Sequence, residues 1–529
     1  MGERTLLNFW VQPMKPKVVV FYCLFLVAPW LVWGADTADL AVIHRIKAEA
    51  FQNSKVMDHM FYLADVYGPH LPNTPAFTAV GDWAVKRMQE YGLVNVAKEK
   101  WGPFGRGWSY SRCSAHLLEP QYAPLVGFPL AWTASTKGPI TGEPVVAPIK
   151  EASDFEKYKG KLKGKIVMTE PERALGLHLT PDASRLTEAQ LTELAMLPEP
   201  GAAGFGGRGP RADYAAAAEL RRKIGQFLRD EGVLAVLTLG RLGDDGTVFG
   251  QQSGSREVKD PLPPPTVVLA TEHYNRIARL LEKKIPVRVE LEAVSQLHEE
   301  TLDSFNVIGE IPGGGKKDEV VMLGGHLDTW QGGTGATDDG AGCAVVMEVV
   351  RILKALDLKM DRTVRVALWS AEEEGLLGSR AYVKEHFADR DTMTLKPEHA
   401  KLAGYYNFDN GSGKIRGVYM QGNDMMRPIF AAWLEPFRDL GVSTITNRIT
   451  GGTDHLSYDA VGLPGFQFIQ DPLDYSARTH HSNMDVYDRI QAGDLMQASA
   501  VIASLVYHTA VRDQMLPRKP LPKPSLRSR

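Results

Sequence analysis

The second half of the chain alternates short strand patterns with helix patterns, and this alternation restricts the fold more than any other feature. Residues 320–323 form an apolar run typical of a buried strand, and residues 341–356 carry apolar side chains at helical spacing. The alternation continues through strands predicted at 363–369 and 403–408 and a helix predicted at 376–385. It predicts an α/β fold in which helices flank a parallel-rich central sheet. Such sheets bind ligands at the carboxyl ends of their strands.

The composition narrows the class of protein. The 529 residues carry 60 Lys and Arg against 63 Asp and Glu, which gives a formal net charge of −3. A chain with this balance lacks the electropositive character of nucleic-acid binders, so no nucleic-acid partner is expected. The three cysteines are too few for a disulfide scaffold. At about 150 residues per domain, we expect a multi-domain enzyme.

The amino terminus resembles an export signal. Lys15 and Lys17 precede an apolar run at 18–33, and small residues follow it. We therefore predict a signal peptide at residues 1–34, a secreted or periplasmic protein, and no membrane association after cleavage. A retained signal anchor is the alternative, but the run is shorter than the about 20 residues that a membrane span needs. The two remaining cysteines, Cys113 and Cys343, are compatible with one disulfide or with two free thiols.

The rest of the chain divides into regions of different pattern. Residues 35–127 begin with apolar side chains at helical spacing and predict the helical part of the main domain. Residues 128–295 contain short β-branched runs and predict an inserted β-rich domain, in which the Gly- and Pro-rich passage 198–211 predicts a mobile loop. Residues 296–513 are predicted to form the metal-binding part of the main domain. The basic, proline-rich segment 514–529 is predicted to be a disordered tail.

Charged side chains stand where several predicted strands end. His326 and Asp328 follow the first strand, Glu372 and Glu373 follow the second, and Asp409 follows the third. Imidazole and carboxylate groups that converge on one sheet edge, without thiolates, are typical of a metal site. A turn before the first helix and a polar loop near residue 480 add further candidates. The complete candidate set is His326, Asp328, Asp338, Glu372, Glu373, Asp409, His480 and His481.

These residue types suit metal-assisted hydrolysis. Two zinc ions about 3.5–4 Å apart, bridged by a carboxylate, can activate a shared water molecule and polarise a carbonyl group. Two adjacent carboxylates, such as Glu372 and Glu373, can divide the work, one as a metal ligand and one as the general base. In the pattern His326-x-Asp328, the aspartate is expected to accept the second imidazole N–H and to fix the orientation of the ring.

Five short motifs occur in order along this region: GGHLDTW, GATDDGAG, WSAEEEGLLGS, NFDNG and THHS. In these motifs, over residues 326–481, the chain resembles the di-zinc exopeptidases, a family that includes bacterial aminopeptidases and glutamate carboxypeptidases. The resemblance implies a parallel-rich sheet between helices and two zinc ions, although cobalt or manganese would accept the same ligands. It implies one metal site from His326 and Asp409, a second from Glu373 and His481, a bridging Asp338, a general base at Glu372 and an orienting Asp328.

Within this family, the chain is more similar to a group of secreted dipeptidases. The shared segments include DSFN at 303–306, GHLDTW, LWSAEE, GGTD followed by GLPG, and HHS. That group carries a protease-associated domain inserted in the peptidase domain, which agrees with the predicted insert. The resemblance implies small peptide substrates and a homodimer. It leaves His480 either as a donor to the substrate oxyanion or as a structural residue.

Several alternatives remain open from the sequence. An aminopeptidase and a carboxypeptidase would share the metal centre and differ in the groups that bind the free end of the substrate. Asp454 and Arg478 are candidates for such groups, although Asp454 also fits a structural role and Arg478 also fits a surface salt bridge. Asp339 is expected to be a turn or cap residue. A single-zinc glutaminyl cyclase and a non-catalytic receptor-like homologue are less favoured, because cyclases lack the insert and all ligand positions here hold competent residues.

Overall fold

The computed structural model describes residues 36–197 and 211–524, with the backbone alone for 211–215. The predicted signal peptide at 1–34 and nearly all of the predicted mobile loop at 198–211 lie outside the described residues. None of the described helices is long and apolar enough to cross a membrane. Cys113 and Cys343 are both free thiols, so the alternative of a disulfide between them is wrong.

The described chain contains 19 strands and 12 α-helices. The strands are β1 Val94–Trp101, β2 Gly107–Glu119, β3 Ala123–Pro124, β4 Gly127–Pro129, β5 Ile140–Gly142, β6 Pro144–Val146, β7 Ile166–Met168, β8 Ala235–Leu239, β9 Thr266–Leu269, β10 Arg288–His298, β11 Ser304–Ile311, β12 Lys316–His326, β13 Arg362–Trp369, β14 Ala388–Asp389, β15 Thr394–Leu395, β16 Leu402–Asn407, β17 Ile415–Tyr419, β18 Thr444–Thr446 and β19 Gly465–Gln470. The helices are α1 Leu40–Gln52, α2 Val56–Met60, α3 Pro75–Glu90, α4 Phe155–Tyr158, α5 Glu188–Ala195, α6 Arg211–Asp230, α7 Thr271–Glu282, α8 Ala341–Ala355, α9 Leu377–His386, α10 Arg427–Leu434, α11 His455–Asp459 and α12 Ala492–Val511.

An eight-stranded sheet forms the centre of the molecule, in the order β1-β11-β13-β12-β16-β19-β17-β18. Its four middle strands, β13, β12, β16 and β19, pair in parallel, and antiparallel strands adjoin them on both sides. The predicted α/β fold with a parallel-rich sheet is therefore confirmed. The carboxyl ends of the middle strands lie at one edge of the sheet, where the predicted site residues follow them.

Both faces of this sheet are covered, as a buried parallel sheet requires. Along β12, Val321 and Leu323 belong to the core beneath α8 and α12, whereas Val320 and Met322 belong to the core beneath α9 and α11. This division follows from the strand, because successive side chains point to opposite faces. Helix α8 is buried along most of its length, and it begins directly after the predicted metal-binding turn. The packing therefore fixes the start of α8 against the sheet edge.

Two smaller sheets interrupt the central sheet between β1 and β11. One has the order β3-β2-β10-β5 and the other the order β4-β9-β8-β7-β6, so their strands span residues 107–298. This region also contains α4, α5, α6 and α7, so it is not built from strands alone. The predicted insert at 128–295 falls within this span, but β2, which lies before residue 128, pairs along its length with β10. The predicted boundary thus divides a sheet, and the insert stays a prediction as a separate domain.

The carboxyl-terminal segment is held against the main domain. Leu516 is buried in the core, Asn423 donates a hydrogen bond to the Pro517 carbonyl, and Arg518 donates one to the Leu402 carbonyl. The prediction of a disordered tail at 514–529 is therefore wrong for residues 514–524. Its proline and basic residues are typical of a solvated tail. One buried apolar side chain and two hydrogen bonds to backbone carbonyls nevertheless hold this segment against the main domain.

Candidate metal centre

The site residues stand where the middle strands of the sheet end. His326 is the last residue of β12, Glu372 and Glu373 follow β13, and Asp409 follows β16. Asp338 lies in the short turn Ala336–Gly340, where its own backbone is not helical (φ −137°, ψ 85°), and this turn leads into α8. The histidine pair His480–His481 follows a short helical segment, Tyr475–Thr479. The fold thus brings together residues that are more than 150 positions apart in the sequence.

Asp338 stands between two groups of potential ligands. Its Oδ1 atom lies 3.3 Å from Nε2 of His326, and that nitrogen lies 3.8 Å from Oδ2 of Asp409. Its Oδ2 atom lies 3.1 Å from Nε2 of His481, and that nitrogen lies 3.0 Å from Oε2 of Glu373. One carboxylate therefore presents one oxygen to each group, and all five side chains expected to be ligands converge.

His480 also belongs to this cluster. Ligand atoms of Asp338, His480 and His481 all lie within 4.8 Å of one another, a spacing that could hold a metal ion. The ring of His480 lies against that of His481, tilted by 43° with centroids 3.8 Å apart, and the ring of Tyr475 stacks on it at 4.7 Å. His480 thus lies close enough to be a further ligand, a role that was not expected from the sequence.

In the second group, the charges of His481, Glu373 and Asp338 influence one another. Burial alone would lower the pKa of His481, but Glu373 and Asp338 raise it to about 10. Burial alone would raise the pKa of Asp338, yet hydrogen bonds from His326 and His481 hold it well below its usual range. These directions mean that the shared carboxylate is ionised and faces groups that favour a negative charge.

The donor set fits divalent cations. Burial raises the pKa of Glu372 well above its usual range, with His326 acting against this shift and Asp409 adding to it. Within the described chain, neither Lys nor Arg forms an ion pair with the carboxylates of this cluster, and two of their oxygens accept no hydrogen bond. These unpaired oxygens are Glu372 Oε1 and Glu373 Oε1. Zinc and similar divalent cations bind to buried carboxylates and imidazoles of this kind, whose charge no described Lys or Arg side chain neutralises.

Asp328 supports the site in a different way from the one predicted. The Nδ1 atom of His326 donates to the main-chain carbonyl of Asp328 at 2.9 Å, whereas the nearer carboxylate oxygen of Asp328 is 3.9 Å from that nitrogen. The expected contact between carboxylate and imidazole is therefore wrong. The carboxylate instead accepts backbone N–H groups of Glu372 at 3.2 Å and Glu373 at 3.3 Å. It therefore holds the loop that carries these two glutamates.

Two other buried aspartates fix the turn that carries Asp338. Asp339 accepts hydrogen bonds from the backbone N–H groups of His326 and Gly342, so it is a local cap, as expected. Asp485 accepts the backbone N–H of Thr337 at 2.6 Å. The sequence did not identify Asp485, because it is distant in the chain and stands in no recognisable motif.

Two site residues adopt a left-handed backbone conformation. His481 has φ of 69°, and Ala371, which precedes Glu372, has φ of 54°. For residues other than glycine this conformation costs about 1 kcal/mol or more, and it persists where the surroundings impose it. On one side the ring of Trp330 packs edge-on against that of His481, with centroids 6.3 Å apart. Trp330 and Tyr475 therefore enclose the histidine pair, and neither was singled out from the sequence.

A cleft of about 550 Å³ leads to the histidine pair from the region between residues 107 and 298. Neither substrate-binding candidate from the sequence is among the described residues that line it. Asp454 is completely buried and accepts a hydrogen bond from Ser379. Arg478 donates to Asp182 at 2.7 Å and to Thr247 at 3.0 Å. These contacts agree with the structural readings of both residues.

Comparison with known proteins identifies similar chains. Residues 306–506 match peptidase family M28. Carboxypeptidase Q of Mus musculus is 26% identical over 482 residues, which cover 90% of each chain. Leupeptin-inactivating enzyme 1 of Streptomyces exfoliatus is 33% identical over 161 residues, which cover 30% of this chain and 34% of that enzyme.

Solved structures have the same fold. A peptidase M28 precursor from Shewanella amazonensis superposes with a TM-score of 0.64 and 25% identity, over 91% of this chain and 98% of that one. A zinc aminopeptidase from Bacillus subtilis superposes with a TM-score of 0.53 and 18% identity, over 87% of this chain and 95% of that one. At this identity the second likeness concerns the fold alone.

Proposed function

The chain belongs, through residues 306–506, to peptidase family M28 and is a metallo-exopeptidase, and from this we propose that it hydrolyses dipeptides or short peptides with two zinc ions. Its similarity to carboxypeptidase Q along 90% of the chain supports a dipeptidase or carboxypeptidase activity. An aminopeptidase of the same family is the second candidate. It is supported by the fold shared with the zinc aminopeptidase from Bacillus subtilis.

The observation that carries this proposal is the position of Asp338 between two ligand groups. Its two oxygens lie 3.3 Å from His326 and 3.1 Å from His481. A carboxylate that presents one oxygen to each of two groups suits a pair of cations, because it offsets their mutual repulsion. His326 and Asp409 would complete one site, and Glu373 and His481 the other, with His480 within reach of the second.

The protein groups have distinct tasks in this proposal. When bound, the zinc ions polarise the scissile carbonyl and lower the pKa of the attacking water. Glu372 takes a proton from that water at its free Oε1 atom and passes the proton to the leaving amine. Asp328 keeps Glu372 in place through the backbone N–H. His480 donates a hydrogen bond to the carbonyl oxygen as negative charge develops on it.

We also propose that the enzyme acts outside the cytoplasm. The basis is the sequence at residues 1–34, in which Lys15 and Lys17 precede an apolar run and small residues. Homodimer formation stays a prediction from the family resemblance. Mass spectrometry of the tryptic peptides of the secreted protein identifies its first residue and so tests the export proposal. Retention of residues 1–34 would contradict it.

The central experiment combines metal analysis with a panel of dipeptides. Purified wild-type protein is expected to contain two zinc ions per chain and to cleave dipeptides, and a chelator is expected to abolish cleavage until zinc is restored. Asp338→Asn should lose most of the bound metal, because the amide keeps an oxygen for only one of the two groups and carries no negative charge. Asp318→Asn, at an exposed position early in β12, is the matched control. Cleavage that survives complete metal removal would refute the proposal, and a single zinc ion in active enzyme would refute the two-ion form of it.

A further inference from the structure

The cleft that reaches the histidine pair is bordered mainly by the region between residues 107 and 298. His480 and His481 border it from the main domain. Gly240 and Arg241, which follow β8, border the same cleft, together with Phe249. A substrate bound at the metal centre can therefore extend towards the loop after β8.

The uncompensated charge in this cleft is positive. Arg241 is exposed, and in the described part of the chain it forms no hydrogen bond or ion pair with another residue. Glu170, the acidic residue on the cleft wall, is already engaged by the Thr238 hydroxyl at 3.2 Å and by Arg173 at 3.3 Å. The guanidinium of Arg241 is thus available to an anionic group of a ligand.

Arg241 lines the same cleft as the histidine pair. His480, His481 and Arg241 all border one cavity of about 550 Å³. A cavity of this volume has the size of a small-molecule binding site, so a short peptide bound in it can contact Arg241 and the metal centre together.

We propose that Arg241 binds the free α-carboxylate of the substrate, which would make the enzyme act at the carboxyl terminus of its peptide. This inference rests on the proposed peptidase function and adds its polarity. The carboxylate of a terminal residue lies within one residue of the last peptide bond, and consecutive Cα atoms are about 3.8 Å apart. A guanidinium matches a carboxylate with two parallel hydrogen bonds, so it both attracts and orients this group.

The same charge disfavours the opposite polarity. An aminopeptidase must accept a free α-ammonium group next to the scissile bond, and an unpaired guanidinium repels a group of that charge. In a dipeptide, the free ammonium group must therefore lie on the side of the scissile bond away from Arg241. The arrangement selects substrates by the charge of the terminus that reaches this arginine.

The test compares L-alanyl-L-alanine with its carboxyl-terminal amide, which share one scissile bond and differ in the terminal charge. Wild-type enzyme is expected to prefer the free acid. Arg241→Met should raise KM for the free acid about 10- to 100-fold, the loss typical of a charge-assisted pair, with kcat changed less than threefold and the amide unaffected. Arg241→Lys should recover part of this loss. Zinc content and melting temperature should match the wild type.

Arg221→Met is the matched control. Arg221 lies in helix α6, where the cleft adjoins a second depression. The described residues that line this second depression include neither histidine of the pair. Arg221→Met should change the ratio of acid to amide cleavage less than threefold. If wild-type enzyme cleaves neither dipeptide, the proposed function fails. If it cleaves them but Arg241→Met keeps the wild-type ratio, or Arg221→Met shows the larger loss, the inference about Arg241 alone is refuted.

Discussion

The carboxylate of Asp328 accepts a hydrogen bond of 3.2 Å from the backbone N–H of Glu372. It accepts a second from Glu373, so one buried side chain holds the start of the loop that carries the proposed general base and a proposed metal ligand. The main-chain carbonyl of the same aspartate orients His326. Side chain and main chain of Asp328 thus support different parts of the site, and a substitution can separate them.

Asp328→Ala should impair catalysis while the orientation of His326 is preserved. The substitution leaves two backbone N–H groups without their acceptor and releases the Glu372 loop. Because supporting contacts of this type contribute about 10- to 100-fold, kcat/KM should fall by that factor. Zinc content, measured by atomic absorption, should stay near the wild-type value. Asp328→Asn, which keeps one acceptor oxygen, should lose less activity. Loss of zinc in parallel with activity would mean that the carboxylate, and not the carbonyl, positions His326.

Glu372→Gln should abolish turnover without removing metal. The amide has nearly the shape of the carboxylate but cannot take a proton from water, so kcat should fall about 10²- to 10⁴-fold. Measurement of kcat and of zinc content on the same preparation checks this. Glu374→Gln is the control, because it makes the same change from carboxyl to amide in the same loop, two residues away. Normal turnover in Glu372→Gln would show that the base is another group.

The elements around the site could be predicted because each depends on a local pattern. Strand β12 and helix α8 were located within a few residues from their apolar periodicity. The side chains that end strands, such as His326 and Asp409, could be placed at one edge because parallel strands share an edge. His481 could be assigned only through the family resemblance, since no local pattern relates it to β12.

Features that depend on contacts between distant segments were not predicted. The spacing of His326 and Asp328 does not reveal whether a carbonyl or a carboxylate meets the imidazole. Tyr475 lies in a polar loop whose position no periodicity defines, and Arg241 lies in a region whose docking on the main domain is invisible in the sequence. Leu516 shows the same limit, because a single apolar residue in a basic, proline-rich segment was enough to fix the tail.

Asp471→Asn should destabilise the main domain. The Asp471 carboxylate is completely buried and accepts hydrogen bonds from Arg416 at 3.0 Å, Arg185 at 2.8 Å and the backbone N–H of Leu186 at 3.0 Å. The amide removes the negative charge and leaves the largely buried Arg416 without its main partner. Breaking such a pair costs about 3 kcal/mol, which urea unfolding should detect as a lower free energy of unfolding.

The control for Asp471→Asn is an exposed ion pair. Asp357 and Lys359 lie 2.9 Å apart, with side chains 84% and 86% exposed. Because solvent screens such a pair, Asp357→Asn should leave the urea midpoint unchanged. An equal loss of stability in both variants would mean that burial of Asp471 does not determine its contribution.

The imidazole of His59 is buried as a neutral group between two partners. Its Nε2 atom accepts a hydrogen bond of 2.6 Å from the Tyr91 hydroxyl, and its Nδ1 atom lies 3.3 Å from the Ala344 carbonyl, to which it donates. Burial lowers the pKa of His59 from 6.5 to about 3. Between these values the unfolded chain binds a proton that the folded chain does not, so the free energy of unfolding falls as the pH decreases from 6.5 towards 3.

His59→Gln should weaken this acid sensitivity. The side chain of glutamine can still donate and accept hydrogen bonds but does not titrate. The slope of the unfolding free energy against pH should therefore decrease by up to about 1.4 kcal/mol per pH unit between pH 4 and 6. Urea unfolding at a series of pH values measures this slope. His44→Gln, at an exposed position on α1, is the control and should keep the wild-type slope. If both variants keep it, His59 becomes protonated in the folded protein, and the neutral buried imidazole described above is wrong.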